Sequence, residues 1–332
     1  MAGREFCAFL IEEQEGKAVA SRRKLTTEAL PDGDVLVRVA FSSLNYKDAL
    51  AVTGRGKVVR RYPMIPGVDL AGTVEESTVP DFKAGDQVVV TGWGLGERHW
   101  GGYAQFARVK ADWLLPLPEG MSLKHAMSFG TAGLTAMLSV MALEEHGLPF
   151  DEKRPVVVTG AGGGLGSMGV AILSRKGYCV AASTGRPPLH EYLRQLGASQ
   201  LLDRQELASD SGKPLESERW GGAIDTVGGK TLAGLLRGMA YGTSVAACGL
   251  AGGAEFSTTV FPFILRGVNL LGIESVMCPQ RRRAAAWNEL KQIPSSLVEM
   301  MTTVVPLSEI LPWCDRILAG QVRGRVVVDV WA

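Results

Sequence analysis

The stretch Thr159–Gly169 reads T-G-A-G-G-G-L-G-S-M-G, six glycines in eleven residues, directly behind the apolar run Val156-Val157-Val158. A strand that breaks into glycines and then enters a helix narrows the possible folds more than any other feature here. One glycine permits the tight turn, one lets backbone approach a pyrophosphate, and one lets the helix pack on the strand. The helix N-terminus then offers free N–H groups and a positive dipole end to an anion.

The glycines fit three registers. Gly164-x-Gly166-x-x-Gly169 starts too late, because it puts the turn inside the helix. Thr159-Gly160-x-x-x-Gly164-x-Gly166 is the short-chain dehydrogenase spacing and requires a Tyr-x-x-x-Lys dyad downstream. Tyr178, Tyr192 and Tyr241 are followed four residues on by Ala182, Leu196 and Val245, so the dyad is missing. Ala161-x-Gly163-x-x-Gly166 remains, and with a strand before it and a helix after it predicts a dinucleotide site.

The surrounding sequence supplies the matching units. Val35–Phe41, Leu70–Val74 and Asp86–Val90 read as strands set off by turns such as Pro31-Asp32-Gly33-Asp34, and Gly92–Gly102 as a glycine-aromatic loop. Near residue 122 the texture changes. Ser122 caps a helix, and Thr135–Glu145 is an amphipathic helix. Strand 155–160, helix 166–176, strand 178–183, helix 189–196 and strand 198–202 follow, then strands 222–227 and 244–249. Helices at 281–292, 295–303 and 308–319 precede a strand, Arg325–Val330, able to rejoin the first part. Strand–helix alternation of this length predicts a parallel sheet. The expected class is α/β: a Rossmann doubly wound domain at 126–275, inserted in a mostly β domain formed by 1–125 and 276–332.

Composition excludes several functions. A net charge of +1 gives no field for nucleic acid or an anionic membrane. No uninterrupted apolar run of 18 residues suggests a membrane span, and the first residues show no secretory signal. Five scattered cysteines without a C-x-x-C pair indicate neither a zinc knuckle nor a disulfide framework, so a cytoplasmic setting is expected.

The second strand of the nucleotide unit ends Ala182-Ser183-Thr184-Gly185-Arg186, and no carboxylate appears until Glu191. An NAD site places an acid there, on the ribose 2′-OH. Hydroxyls and a guanidinium suit a 2′-phosphate instead, with Arg204 adding charge. The expected cofactor is NADPH.

Seven further stretches carry a resemblance. They are Ser42–Leu50 (S-S-L-N-Y-K-D-A-L), Pro63–Gly72, Thr91–Gly102 (T-G-W-G-L-G-E-R-H-W-G-G), Gly130–Met137, Gly222–Gly228, Cys248–Gly253 and Pro262–Arg266. Through them the chain resembles, along almost its whole length, the zinc-free medium-chain dehydrogenases/reductases, and within these the acrylyl-CoA reductase subgroup, often labelled quinone oxidoreductase. The resemblance implies that the mostly β domain is GroES-like and catalytic. It implies an NADPH path along Tyr46, Gly162, Gly163, Gly164, Leu165, Gly166, Thr184, Gly185, Arg186, Arg204, Leu250, Ile264, Ser275 and Arg325. Thr184 stands where relatives often have Ser, and Gly162 where Ser is common. The zinc relatives' thiolate position reads Asn45, their His-Glu pair Val68-Asp69, and their third-ligand region Thr131, so no metal is expected. The resemblance also implies a homodimer, joined through the edge strand Asn269–Ile273.

The expected reaction is hydride transfer to Cβ of a short α,β-unsaturated acyl-CoA, acrylyl-CoA to propionyl-CoA, with protonation at Cα. Preorganised donors must meet the enolate charge on the thioester oxygen. Tyr46 is the candidate acid or enolate donor and Asn45 the orienting group. Asp48 caps the helix or pairs with Lys47, and His99 is structural. Arg281-Arg282-Arg283, Arg60-Arg61 and Lys57 are basic clusters that could meet CoA, and the loop 92–102 could wall an acyl pocket. Two alternatives stay open: an NADPH quinone oxidoreductase, and a non-catalytic NADPH-binding sensor.

Overall fold

Val156, Val157 and Val158 are buried on both faces of a sheet, as a strand covered by helices on either side must be. The computed structural model describes residues 3–332. Within it the chain forms two compact units, one of Met1–Thr131 with Val276–Ala332, the other of Ala132–Ser275.

The second unit holds a six-stranded parallel sheet. Its strands run, side by side, Gln200–Asp203, Val180–Thr184, Val156–Val158, Gly222–Asp225, Ser244–Ala247 and Asn269–Gly272. Taken in chain order this is 3-2-1-4-5-6, the doubly wound Rossmann arrangement, whose switch point lies beyond Val158 and Asp225. The helix after the glycines spans Gly164–Arg175 and so starts two residues earlier than expected. Gly169 lets it lie close to the sheet, since a Cβ there would stand 3.3 Å from Ile224 Cδ1. Asn269–Gly272 is an edge strand.

The first unit is mostly β. A sheet runs Thr302–Pro306, Arg325–Asp329, Val35–Leu44, Asp69–Ser77, Gln87–Thr91 and Leu115–Pro116, with Phe106–Val109 pairing Val35–Leu44 off this path. The strand Arg325–Asp329 does rejoin the first part, antiparallel to Val35–Leu44 from Val326↔Leu44 to Asp329↔Phe41. Several elements of this unit differ from the sequence reading, among them the strands Phe106–Val109 and Leu115–Pro116. Glu5–Gln14 and Lys17–Thr26 form an antiparallel hairpin, turned by Glu15 and Gly16 at positive φ. The helix expected at 295–303 stops at Met301, because the β-branched run Thr302-Thr303-Val304-Val305 pairs as a strand.

One helix, Leu123–Glu145, is long and apolar enough by composition to cross a bilayer, with a mean hydropathy of 1.5 in its most apolar window. This corrects the reading that no such stretch exists. The window is 89% buried inside the protein and the helix is kinked at Gly130, as befits a core helix. Ser122 Oγ accepts from His125 N at 3.1 Å and caps it.

Candidate active site

Asn45 ends the strand Val35–Leu44 and caps the helix Tyr46–Thr53. The N-D spacing of Asn45 and Asp48 makes the cap reciprocal: Asn45 N donates to Asp48 Oδ2 at 2.9 Å. The other oxygen, Asp48 Oδ1, accepts from Val68 N at 2.9 Å and ties the helix start to the residue that precedes the strand Asp69–Ser77. Lys47 does not pair with Asp48; it pairs with Glu97.

Beneath this cap lies a cluster that sequence reasoning missed as a whole. Asp69 Oδ2 accepts from Ser43 Oγ at 2.6 Å, Asn45 Nδ2 at 2.8 Å and Thr131 N at 2.9 Å, and Oδ1 accepts from Thr131 Oγ1 at 2.5 Å. Arg325 Nη2 donates to Ser43 Oγ at 2.8 Å, Nη1 to Asn45 Oδ1 at 3.2 Å, and Nε to Ser128 O at 3.0 Å. Asp48, Asp69 and Arg325 are all buried. Burial and the charge of Asp69 push the Asp48 carboxyl up to about 7, against the N–H groups of Asn45 and Val68 that pull it down. Burial lowers Arg325, opposed by the charges of Asp69 and Asp48. Burial likewise raises Tyr103, whose hydroxyl donates to Ser43 O at 3.2 Å.

Both ends of the Asn45 amide are therefore held, its Nδ2 by Asp69 and its Oδ1 by Arg325. Tyr46, the next residue, begins the helix with 38% of its surface exposed. The cluster thus anchors the residue that precedes the helix Tyr46–Thr53. Of the positions aligned with zinc ligands in the resemblance, Asp69 accepts from both Asn45 and Thr131. Among the described residues no group of three or more His, Cys, Asp or Glu side chains is arranged to hold a metal.

The flanking loop is also defined. His99 Nε2 bonds Arg108 O at 2.7 Å and its ring meets Trp113 edge-on at 5.0 Å, so His99 is structural. Trp93 is half-buried at φ 54°, a conformation uncommon for an aromatic residue, and its N donates to Val276 O at 2.9 Å. Arg283 lies over its ring at 4.9 Å. Arg283 is buried, with Nη1 bonded to Thr91 O and Oγ1 at 2.7 and 2.8 Å. It is not a surface cation for CoA, which corrects the reading of the Arg281–Arg283 run.

In the other unit, Gly163 caps the helix Gly164–Arg175, whose first residues include Leu165 and Gly166. A Cβ on Gly166 would stand 2.3 Å from Gly160 O, so only glycine allows this turn. A Cβ on Gly162 would stand 2.7 Å from Arg186 Nη2, and one on Gly185 2.5 Å from Arg204 Cδ. Both guanidiniums therefore lie against glycine backbone, Arg186 beside the loop itself. Thr184 Oγ1 accepts from Arg186 N at 3.2 Å. Leu250 and Ile264 are exposed apolar residues, and Ser275 Oγ accepts from Thr135 Oγ1 at 2.8 Å. A pair not foreseen joins the two strands at the switch point: Thr159 Oγ1 donates to buried Asp225 at 2.7 Å, and Asp225 also accepts from Gly228 N at 2.8 Å. A glycine turn at a helix N-terminus, with two guanidiniums and no carboxylate at the end of Val180–Thr184, fits a phosphorylated dinucleotide. Asn45, Tyr46 and Arg325 belong to the first unit and the remaining predicted cofactor residues to the second.

The chain is similar to known proteins along nearly its whole length. Residues 31–119 match the alcohol dehydrogenase GroES-like domain. The acrylyl-CoA reductase AcuI of Ruegeria pomeroyi is 53% identical over 96% of this chain and 97% of its own. The chain belongs to the acrylyl-CoA reductase family. The crystal structure of Escherichia coli K-12 YhdH with bound NADPH superposes on this family member with a TM-score of 0.94, at 53% identity over 97% of this chain and 99% of the other. That of Bacillus subtilis yhfP with NAD bound has the same TM-score at 45% identity, over 98% of this chain and 99% of the other.

Proposed function

We propose that this protein reduces the C=C bond of acrylyl-CoA to give propionyl-CoA, using NADPH. The observation that carries the reading is the buried Asp69–Arg325 cluster that fixes Asn45 and Tyr46, in a chain of the acrylyl-CoA reductase family. NADPH, when bound, supplies the hydride that goes to Cβ. The glycine turn Gly162–Gly166, with the free N–H groups at the start of its helix, would hold the pyrophosphate, and Thr184, Gly185, Arg186 and Arg204 would take the 2′-phosphate. Leu250, Ile264 and Ser275 line the rest of its path. Arg325 contributes through Asn45, whose carbonyl it holds.

The Tyr46 hydroxyl donates to the thioester oxygen as enolate charge develops, with water protonating Cα, or passes its own proton to Cα and is reprotonated by solvent. Asn45, with both amide ends occupied, orients the helix start rather than touching the acyl group. In this reading the domain 126–275 binds NADPH, while 1–125 with 276–332 carries the substrate chemistry. The exposed edge Asn269–Gly272 pairs with a second copy to form a homodimer. The five cysteines, none in a C-x-x-C pair, suit the reducing cytoplasm.

The test is a panel of acrylyl-CoA, crotonyl-CoA and a benzoquinone, each with NADPH and with NADH. The expected result is the highest kcat/KM for acrylyl-CoA with NADPH. Strong quinone turnover without thioester reduction would favour a quinone oxidoreductase, and tight NADPH binding without turnover a sensor.

A further inference from the structure

We infer that Arg60 and Arg98, gathered around the Lys47–Glu97 pair, form the docking site for the phosphates of the CoA moiety; this rests on the acyl-CoA reading above. Three segments meet at Glu97: the helix carrying Lys47, the loop carrying Arg60, and the glycine-aromatic loop that holds Glu97 and Arg98. Glu97 is the hub. Its side chain is 13% exposed and pairs with Lys47, while Arg98 Nε and Arg60 Nε approach its Oε1 at 3.4 and 3.7 Å. Burial pushes the Glu97 carboxyl up, but the hydrogen bond from Lys47 and the charges of Lys47, Arg98 and Arg60 together hold it below the usual range.

The loop is held by its backbone and does not depend on these charges for its course. Arg60 N donates to Glu97 O at 2.9 Å, and Glu97 N and Arg98 N both donate to Gly94 O, at 3.1 and 2.9 Å. Gly94 and Gly96 supply the positive φ that the loop requires.

Lys47 and Glu97 neutralise each other, which leaves Arg60 and Arg98 as surplus charge. Their side chains are 59% and 74% exposed, and among the described residues neither pairs with another acid. Exposed pairs of this kind are worth only about 0–1 kcal/mol, too little to explain gathering three cations on one acid. The neighbouring sequence deepens the imbalance. Between Asp48 and Asp69 there is no acid, but there are Arg55, Lys57, Arg60 and Arg61. Arg55 is taken by Asp315 at 2.9 Å. The whole chain carries only +1, so this field is local.

A surplus of guanidiniums suits a ligand bearing several phosphates, because each can bind two phosphate oxygens at once. Side-chain exposure rises from 36% at Lys47 to 59% at Arg60 and 74% at Arg98, so the surplus charge sits where a solvated phosphate can reach it.

The experiment compares acrylyl-CoA with acrylyl-pantetheine, the same thioester without phosphates. The proteins are the wild type and an Arg60→Ala/Arg98→Ala double variant checked for unchanged NADPH binding. The expected result is a KM for acrylyl-CoA raised about 10-fold in the variant at low salt, with kcat retained and acrylyl-pantetheine kinetics unaltered. High salt should shrink the difference. An unchanged KM for acrylyl-CoA, or an equal rise for both substrates, would overturn the inference. If the wild type reduced neither thioester, the acyl-CoA reading would fall first and this site with it.

Discussion

Gly130 faces the Asp69 carboxylate with no room for a side chain between them: its φ is 50°, and a Cβ there would stand 2.5 Å from Asp69 Oδ2. The same methyl would lie 2.8 Å from Ser43 Oγ and 2.9 Å from Arg325 Nη2. Gly130→Ala should therefore destabilise the protein by roughly 3 kcal/mol, from backbone strain plus disruption of buried hydrogen bonds. Urea unfolding measures this; a loss below about 1 kcal/mol would mean that the cluster can shift to make room.

Asp48 makes stability depend on pH in the direction opposite to a paired carboxylate. Its carboxyl, ordinarily near 3.8, is pushed up to about 7 in the fold. Between those values the folded protein keeps a proton that the unfolded chain has released, so this group's contribution is full below about pH 4 and is lost as pH rises through about 7. Asp48→Asn removes the titration. Its stability deficit relative to wild type should shrink by roughly 2–4 kcal/mol between pH 4 and pH 8. A deficit constant across that range in guanidinium titrations would show that Asp48 stays ionised.

Tyr46→Phe keeps the ring and removes the proton. If the hydroxyl serves the enolate, kcat and kcat/KM for acrylyl-CoA should fall together by about 10²-fold while NADPH affinity holds. Unchanged kcat would assign Tyr46 to nicotinamide packing alone.

Arg186 lies against Gly162, where its charge meets the end of the Val180–Thr184 strand. Arg186→Ala should raise the KM for NADPH by about 10–100-fold and leave that for NADH within about 2-fold. Equal losses for both cofactors would mean that Arg186 supports the loop rather than the 2′-phosphate.

Arg283 should behave as a structural cation. Its guanidinium bonds Thr91 O and Oγ1, and also Val276 O and Cys278 O at 3.2 and 3.3 Å. Lysine cannot reproduce that fork, so Arg283→Lys should cost about 2–3 kcal/mol in thermal or chemical unfolding. The KM for acrylyl-CoA should not move; a selective rise would return Arg283 to the substrate.

The nucleotide unit was legible because its signals are local. The valine strand, the glycine turn and the helix after it lie within 20 residues, and the hydroxyl-Gly-Arg ending at Thr184–Arg186 sits one strand away. The Asn45-Tyr46 segment was also visible, through its resemblance. What it rests on was not, because Asp69 and Arg325 reach Asn45 only through pairing across 24 and 280 residues. Arg283 misled for a related reason. Three consecutive arginines read as a solvated face, but the carbonyl and hydroxyl of distant Thr91, with the carbonyls of Val276 and Cys278, draw the third inward. The strand Thr302–Pro306 followed its β-branched residues over the helical pattern that precedes them.

The strand Arg325–Asp329 has a bearing on modularity. It delivers the guanidinium that balances Asp48 and Asp69, yet 144 residues of another compact unit intervene before the chain returns at Val276. A fragment ending at Thr131 would contain the whole GroES-like match, residues 31–119, and both buried acids, with no counter-charge for them. Recombination that transplanted residues 31–119 alone would move a recognisable sequence without a self-sufficient body. The two segments up to Thr131 and from Val276 onward are thus the smallest piece that carries these acids together with their counter-charge.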